Sequence, residues 1–141
     1  MIPSNILASE GATLLANILR RRKIETIDLK LNPIGSDGAT AILCIANIVE
    51  LTTLNLSSCS FDEYVETSLI YVLRNSKTLR TFNLSINKLG EDLGLKIVDE
   101  LNSNKILRSL DVRNSEISHK TKSVIDGLIL ENRIKNNTIQ Q

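Results

Sequence analysis

Apolar residues along this chain recur in a pattern that repeats about every 28 residues. Each repeat has apolar residues at its first, fourth, sixth and eleventh positions and a small polar residue at its ninth. The four full repeats begin at Ile24, Leu51, Leu79 and Leu107. The fourth and sixth positions alternate with polar neighbours, which predicts a short strand with one inward face. Repeats of this length are typical of arrays whose neighbouring units bury each other's faces.

The second half of each repeat has the apolar spacing of a helix. One column of inward residues contains Leu15, Ile42, Leu69, Ile97 and Ile125. A second column lies one helical turn later and contains Leu19, Ala46, Leu73, Leu101 and Ile129. Each unit is therefore predicted to be a strand followed by a helix, and the fold class is an α/β solenoid with an all-parallel sheet.

The ninth position of each repeat, which we name the polar slot, is predicted to have a structural role. The slot residues are Asn5 in a leading half repeat, then Asn32, Cys59, Asn87 and Ser115. The chain turns after each strand and leaves backbone groups that the neighbouring unit cannot pair. An inward Asn can bond to them, and stacked Asn side chains extend this bonding between units. Such a buried amide must be satisfied, because an unpaired one costs free energy.

The repeat pattern, together with NPIGSDG in the first full repeat, resembles the leucine-rich repeat family and its ribonuclease-inhibitor subtype. The resemblance implies a right-handed, curved solenoid with strands on the concave face and helices on the convex face. It also implies protein binding rather than catalysis. We assign residues 1–133 to one repeat domain and expect 134–141 to be a disordered polar tail. The units within the domain are a partial repeat at 5–23 and full repeats at 24–50, 51–78, 79–106 and 107–133.

Two stretches have a narrower resemblance. DLKLNPIG at 28–35, and LDVRNSEIS with VIDGLILENR in the last repeat, are similar to the repeat domain of an axonemal nexin–dynein regulatory complex subunit. That resemblance implies a structural subunit of a ciliary or flagellar axoneme. The alternative is a cytosolic regulatory binder of the actin-cap or GTPase-regulator type. Both interpretations place a scaffold module with protein partners in the cytoplasm, and the first places it in the cilium.

Composition narrows the functional classes. The chain of 141 residues is long enough for one domain with a continuous core, and its formal net charge of +1 argues against a dedicated nucleic-acid binder. No apolar run reaches the length of a membrane span, and the N-terminus lacks the features of a signal peptide. Cys59 is predicted to lie in an inward slot and Cys44 on a helix, so we do not expect them to form a disulfide. Reduced thiols favour a cytosolic compartment.

Residues able to carry chemistry are sparse. His119 is the single histidine, and the residues around it lack the spacing of metal ligands. Cys59 would need a neighbouring base and a lowered pKa to act as a nucleophile, and its slot position already accounts for it. We therefore expect no catalytic residue, no metal and no cofactor.

Two groups of surface residues are candidates for protein binding. On the outward face of the strands we select Arg80, Asn83, Arg108, Asp111 and Arg113. On other surfaces we select Arg20, Arg21, Arg22 and Tyr71. The basic run has two interpretations: cations stabilise a helix C-terminus, or they contact an acidic partner or an anionic membrane. An exposed Tyr beside aliphatic residues suggests a contact patch, although isolated exposed apolar residues are ordinary.

The two ends of the array differ. The leading half repeat has no strand, so the strand at Ile27 and Leu29 is expected to have an open edge, which invites pairing. We expect a partner or a preceding domain to cover this end. At the other end Asp126, Glu131, Asn132 and Arg133 make the last helix polar, as a capping unit requires.

Overall fold

The computed structural model describes residues 7–140, in which four short strands alternate with helices. The strands lie side by side, all parallel, in the order of the sequence. This is the predicted α/β architecture. The elements are α1 (Ser9–Leu19), β1 (Thr26–Asp28), α2 (Gly35–Ala46), β2 (Thr53–Asn55), a short 3₁₀ turn (Glu63–Val65), α3 (Glu66–Asn75), β3 (Thr81–Asn83), α4 (Gly90–Ser103), β4 (Ser109–Asp111) and α5 (His119–Ile139).

The register of the sheet follows the repeat. Ile27, Leu54, Phe82 and Leu110 are paired neighbours across the four strands, and all are buried. The next apolar residues of the repeat, such as Leu29 and Leu84, are also buried but lie just beyond the strands. They continue the ladder, since the Leu29 N–H donates to Asn55 O at 2.9 Å and the Leu84 N–H to Asp111 O at 2.8 Å. Each strand is short because the chain turns immediately afterwards.

The core lies between the sheet and the helices. The first helical column is fully buried at Ile42, Leu69, Ile97 and Ile125. Each such side chain contributes about 1.5–3 kcal/mol through removal from water. Close helix packing at the N-terminal end depends on Gly38, where an added Cβ would lie 3.0 Å from the Cβ of Ala12 in α1. Neighbouring units therefore fit together with little free space.

A polar contact joins the last two helices. Glu91, in the first turn of α4, accepts hydrogen bonds from the Ser118 N–H at 2.7 Å and from the Thr121 hydroxyl. Ser118 is the N-cap of α5, and its own side chain accepts from the Thr121 N–H. The backbone N–H of Ser118 and the hydroxyl of Thr121 hold the pKa of the Glu91 carboxyl below its ordinary value. The carboxylate of Glu91 thus lies at the N-terminal end of α5, where the helix dipole favours a negative charge.

The expectation of a disordered tail is wrong for residues 134–139, because α5 continues to Ile139. The Asn136 side chain donates to Lys105 O at 3.4 Å and to Asn132 O at 2.7 Å. The first bond ties the extension of α5 to the loop before β4, and the second lies within α5. Asn132, one of the residues expected to make the last helix polar, is buried and donates to Asn104 O and Leu107 O.

The two outer strands are finished differently. Beside β4, the Arg133 Nε donates to Arg108 O at 2.6 Å, so α5 satisfies part of that edge. Beside β1, no strand within residues 7–140 pairs with the outer edge. Leu15, Leu19 and Ile24 remain only partly buried there. The expected cover at this end stays a prediction. None of the described helices has the length and apolar character needed to cross a bilayer.

Candidate protein-interaction surfaces

The polar slot is occupied by buried, bonded side chains, best seen at Asn87. Its Nδ2 donates to Leu56 O at 2.8 Å, to Leu84 O at 3.0 Å and to Ser85 O at 3.1 Å. Its Oδ1 accepts from the Cys59 N–H at 3.0 Å and the Phe61 N–H at 3.4 Å. The side chain therefore joins the turn of its own repeat to that of the preceding one.

Asn32 makes the same kind of contacts in the first full repeat. It is fully buried, donates to Leu29 O at 3.0 Å and Lys30 O at 3.2 Å, and accepts from the Leu7 N–H at 3.4 Å. Ser115 donates its hydroxyl proton to Val112 O. Asn5, the remaining predicted slot residue, lies outside the described residues. The slot side chains that the structure describes are thus engaged with backbone and are not available to a ligand.

Cys59 occupies its slot as a structural thiol. It is fully buried, and its Sγ lies 3.1 Å from Leu29 O in the preceding repeat. Burial raises the pKa of the Cys59 thiol to about 11. The reactive thiolate is therefore scarce at neutral pH, and a nucleophile needs the opposite shift. His119 is exposed at the start of α5, and within residues 7–140 no three His, Cys, Asp or Glu side chains gather as a metal site would require.

A second polar column lies on the outward face of the strands, where Asn83 and Asp111 were selected as binding residues. Each Oδ1 accepts from the backbone N–H two residues later, Asn83 from Ser85 and Asp111 from Arg113, both at 3.0 Å. Asp28 and Asn55 do the same in the first two repeats. These are Asx turns that end each strand. The signal was in the sequence, since Asp or Asn occupies the fifth position of every full repeat.

Arg113 is already paired. Its guanidinium donates to both oxygens of Asp111, with Nη2 to Oδ2 at 2.7 Å and Nε to Oδ1 at 3.0 Å. These bonds lower the pKa of the Asp111 carboxyl. Arg113 also lies past the carboxyl end of β4, whereas Arg80 and Arg108 precede their strands. The structure therefore separates Arg113 from the other two arginines of the predicted concave cluster.

Arg80 and Arg108 instead join a basic stretch at the edge where the strands begin. The Arg108 N–H donates to Arg80 O at 2.8 Å, which makes the two residues neighbours in adjacent repeats. Arg133 follows them, since its Nε bonds to Arg108 O. Lys77 and Lys105 precede the same two strands and are exposed. We name this surface the basic edge, and it consists of Lys77, Arg80, Lys105, Arg108 and Arg133.

The run of Arg20, Arg21 and Arg22 lies at the same edge of the sheet but in the first unit. Arg20 is the C-cap of α1, and its N–H donates to Ala16 O at 3.0 Å. All three side chains are exposed. Their position directly after the helix fits the favourable interaction of cations with a helix C-terminus, and contact with a partner stays a prediction.

Tyr71 projects from α3 with 58 % of its surface exposed. It stands between two shallow grooves, one beside α2 at Cys44 and one beside α4 at Lys96. Ion pairs of Arg74 with Glu100 and of Lys96 with Glu66 cross the α3–α4 groove. On the α4 side, the exposed Tyr71 ring therefore lies beside charged side chains that are paired with one another.

The loops after the strands carry a feature that the periodicity did not indicate. Leu31 and Ile86 adopt positive φ angles of 62° and 58°, and 52 % and 55 % of their surfaces are exposed. Asn114, which is suited to this conformation, occupies the same turn position in the last repeat with φ of 52°. Ile86 also lines a shallow groove, together with Ser58 and Lys88. A bulky exposed residue in this backbone region is strained.

A third polar column, missed in the sequence, precedes the strands. Ser76 Oγ accepts from the Leu79 N–H at 3.0 Å, and Asn104 Oδ1 accepts from the Leu107 N–H at 2.9 Å. Asn132 completes the column beside the last strand. The signal available was the common spacing of about 28 residues. The polar residues of this column therefore fix the loops before β3 and β4, which contain most residues of the basic edge.

Comparison with known proteins agrees with this geometry. Residues 50–74 match the family described as Leucine Rich Repeat. No curated protein matches the chain in sequence. Together with the four parallel strand–helix units, the match shows that the fold is that of an α/β leucine-rich repeat domain.

Two solved structures resemble the chain over nearly its whole length. Actin-binding site 2 of leiomodin-1 superposes with a TM-score of 0.81 at 15 % identity, covering 97 % of this chain and 84 % of that one. The C-terminal domain of tropomodulin from Caenorhabditis elegans superposes with a TM-score of 0.76 at 15 % identity, covering 98 % and 90 %. At this identity the similarity shows the fold.

Proposed function

We propose that this chain is a non-enzymatic protein-interaction module of the actin-regulator type. The observation that carries the proposal is the match to actin-binding site 2 of leiomodin-1 over 97 % of the chain. The match covers the whole array rather than one repeat, so the backbone arrangement of successive repeats is similar throughout. A repeat array of this kind presents extended surfaces suited to protein partners. Fold alone does not dictate function, and the assignment to actin is therefore the part to be tested.

The absence of catalysis is supported by the use of the polar groups. Asn32, Cys59 and Asn87 are buried and bonded to backbone. Asn83 and Asp111 terminate strands through their own side chains. Cys59 and Asp111, the two of these residues whose side chains can act as nucleophile, acid or base, are thus engaged in holding turns. What remains for function is the exposed surface.

The actin-regulator interpretation is favoured over the axonemal one. Two solved structures that match the whole array are the leiomodin-1 actin-binding site 2 and the tropomodulin C-terminal domain. Neither of them is an axonemal or a GTPase-regulating protein. A reducing, cytoplasmic compartment is supported by the two unpaired cysteines, of which Cys44 is exposed and Cys59 is buried.

Sedimentation with actin tests this proposal. The full chain is mixed with actin filaments and, separately, with labelled actin monomers, after circular dichroism has shown that it is folded. We expect saturable binding to filaments or monomers. A folded chain that binds neither form, and that instead binds isolated axonemes, overturns the actin assignment in favour of the axonemal alternative.

A further inference from the structure

The basic edge has positive charge that its own chain does not neutralise. Neighbouring strands are about 4.8 Å apart, so Arg80 and Arg108 begin adjacent strands at that spacing. Arg133 then lies against the backbone of Arg108. Ion pairs within residues 7–140 join Arg74 to Glu100, Lys96 to Glu66, Arg113 to Asp111 and Lys135 to Glu131. None of them includes a residue of the basic edge.

Acidic residues along the same edge do not supply the missing charge. Glu131 is paired with Lys135 at 3.6 Å. Glu50, in the loop before β2, takes part in no ion pair among the described residues. The Nε of Arg108 is buried and has no hydrogen-bond partner in that part of the chain. The net charge of +1 for the whole sequence thus conceals a local excess of positive charge.

Helix termini account for only part of this excess. Lys105 donates to Asn102 O at 2.7 Å at the end of α4, as a cation at a helix C-terminus should. The effect of the helix dipole falls off beyond the last turn. Arg80 and Arg108 lie further along the chain, immediately before β3 and β4. Their clustering therefore has no explanation in helix stability.

We propose that the basic edge docks an acidic segment of a partner protein. Arg presents a planar fork that binds a carboxylate through two hydrogen bonds. In an extended peptide, side chains on one face recur at about 6.6 Å, against about 4.8 Å between the starts of β3 and β4, a difference that the long, flexible Arg side chains can span. An acidic peptide is favoured over nucleic acid because the basic edge has no aromatic side chain on which bases could stack.

The proposal rests on the proposed function only in that the chain binds a protein. The probe is a short fluorescein-labelled peptide that alternates Glu and Ser, and its affinity for the full chain is measured by fluorescence anisotropy. The test variant is Arg80→Gln/Arg108→Gln. The matched control is Lys88→Gln/Lys120→Gln, which removes the same charge from exposed side chains at the opposite edge of the sheet. Should Arg108→Gln impair folding, Lys77→Gln/Arg80→Gln makes the same test with two exposed residues.

We expect the affinity of the test variant to fall about tenfold or more, because the two Arg side chains that can bind carboxylates through paired, charge-assisted hydrogen bonds are lost. The control should change by less than about twofold, as expected for remote exposed charges. Failure of the wild-type chain to bind the peptide, or equal losses in the two variants, overturns the proposal. Tighter binding of duplex DNA than of the peptide, lost in the test variant, overturns it in favour of nucleic acid.

Actin binding by the same variants separates this inference from the proposed function. If the test variant binds actin as the wild type does but no longer binds the peptide, both proposals are supported, and the basic edge is assigned to a partner other than actin. If the wild-type chain binds the peptide but not actin, and the test variant loses the peptide, this inference is supported and the actin assignment is refuted. If the wild-type chain binds actin but not the peptide, the actin assignment is supported and this inference is refuted.

Discussion

Replacement of Asn87 by Leu removes the most connected side chain of the polar slot. Leu has a similar size but no polar atom, so Leu56 O, Leu84 O, the Cys59 N–H and the Phe61 N–H lose the bonds that Asn87 makes. Ser85 O keeps a second partner, because the Ser58 N–H donates to it at 3.0 Å. The substitution thus leaves buried donors and acceptors unpaired in two adjacent repeats.

The expected cost follows from those groups. A buried backbone group without a partner costs about 1–3 kcal/mol. The two N–H groups alone therefore predict a loss of about 2–6 kcal/mol. That loss is large for a domain whose total stability is about 5–15 kcal/mol. Because Asn87 joins two repeats, the loss should also weaken the contact between β2 and β3.

Urea unfolding monitored by far-UV circular dichroism measures this cost. The matched control is Asn102→Leu, since Asn102 is an exposed residue of α4 whose side chain contacts only Val98 O within its own helix. Its effect should stay within about 0.5 kcal/mol. A loss at Asn87 below about 1 kcal/mol, or no greater than that of the control, would refute the role assigned to the slot.

Three further predictions concern strain, pH and the open edge. Ile86→Asn should raise the melting temperature, because Asn tolerates the φ of 58° that costs a bulky residue about 1–2 kcal/mol, and a lower melting temperature would contradict this. The pKa of Glu91 is held below its ordinary value of 4.5, chiefly by the N–H of Ser118, so its contribution to stability is present at neutral pH and is lost as the pH falls below about 4.5. Glu91→Gln should flatten that acid limb of a melting profile against pH, and an unchanged limb would count against the contact. In hydrogen exchange, residues 24–31 at the unpaired edge of β1 should exchange faster in the isolated chain than in its assembly, whereas 79–86 should not change. Strong protection of 24–31 in the isolated monomer would show that this end covers itself.

Much of the fold was predictable because the buried positions recur with the period of the sequence repeat. Apolar residues such as Leu54 and Phe82 had to face one side, and their spacing placed them in neighbouring parallel strands. Asn87 was predictable for the same reason, since it occupies the turn of a repeating unit. These predictions depend on local period and burial, which a single sequence contains.

The charged surface was less predictable because it depends on turns and on the length of the last helix. Arg113 was selected with Arg108 on the outward face of the strands, but the turn after β4 places its guanidinium against Asp111. Arg133 joins the basic edge because α5 brings it back to Arg108 O, a contact outside the repeat period. The helical tail has no apolar period, and the bond from Asn136 to Lys105 O carries no periodic signal.

The decisive measurement for the actin-regulator proposal is the dissociation constant of the folded chain for actin, determined by titration with filaments and with monomers. We expect saturable binding to at least one form, and Lys88→Gln/Lys120→Gln should retain it. Absence of binding to both forms, at concentrations where the chain is monomeric and folded, would contradict it.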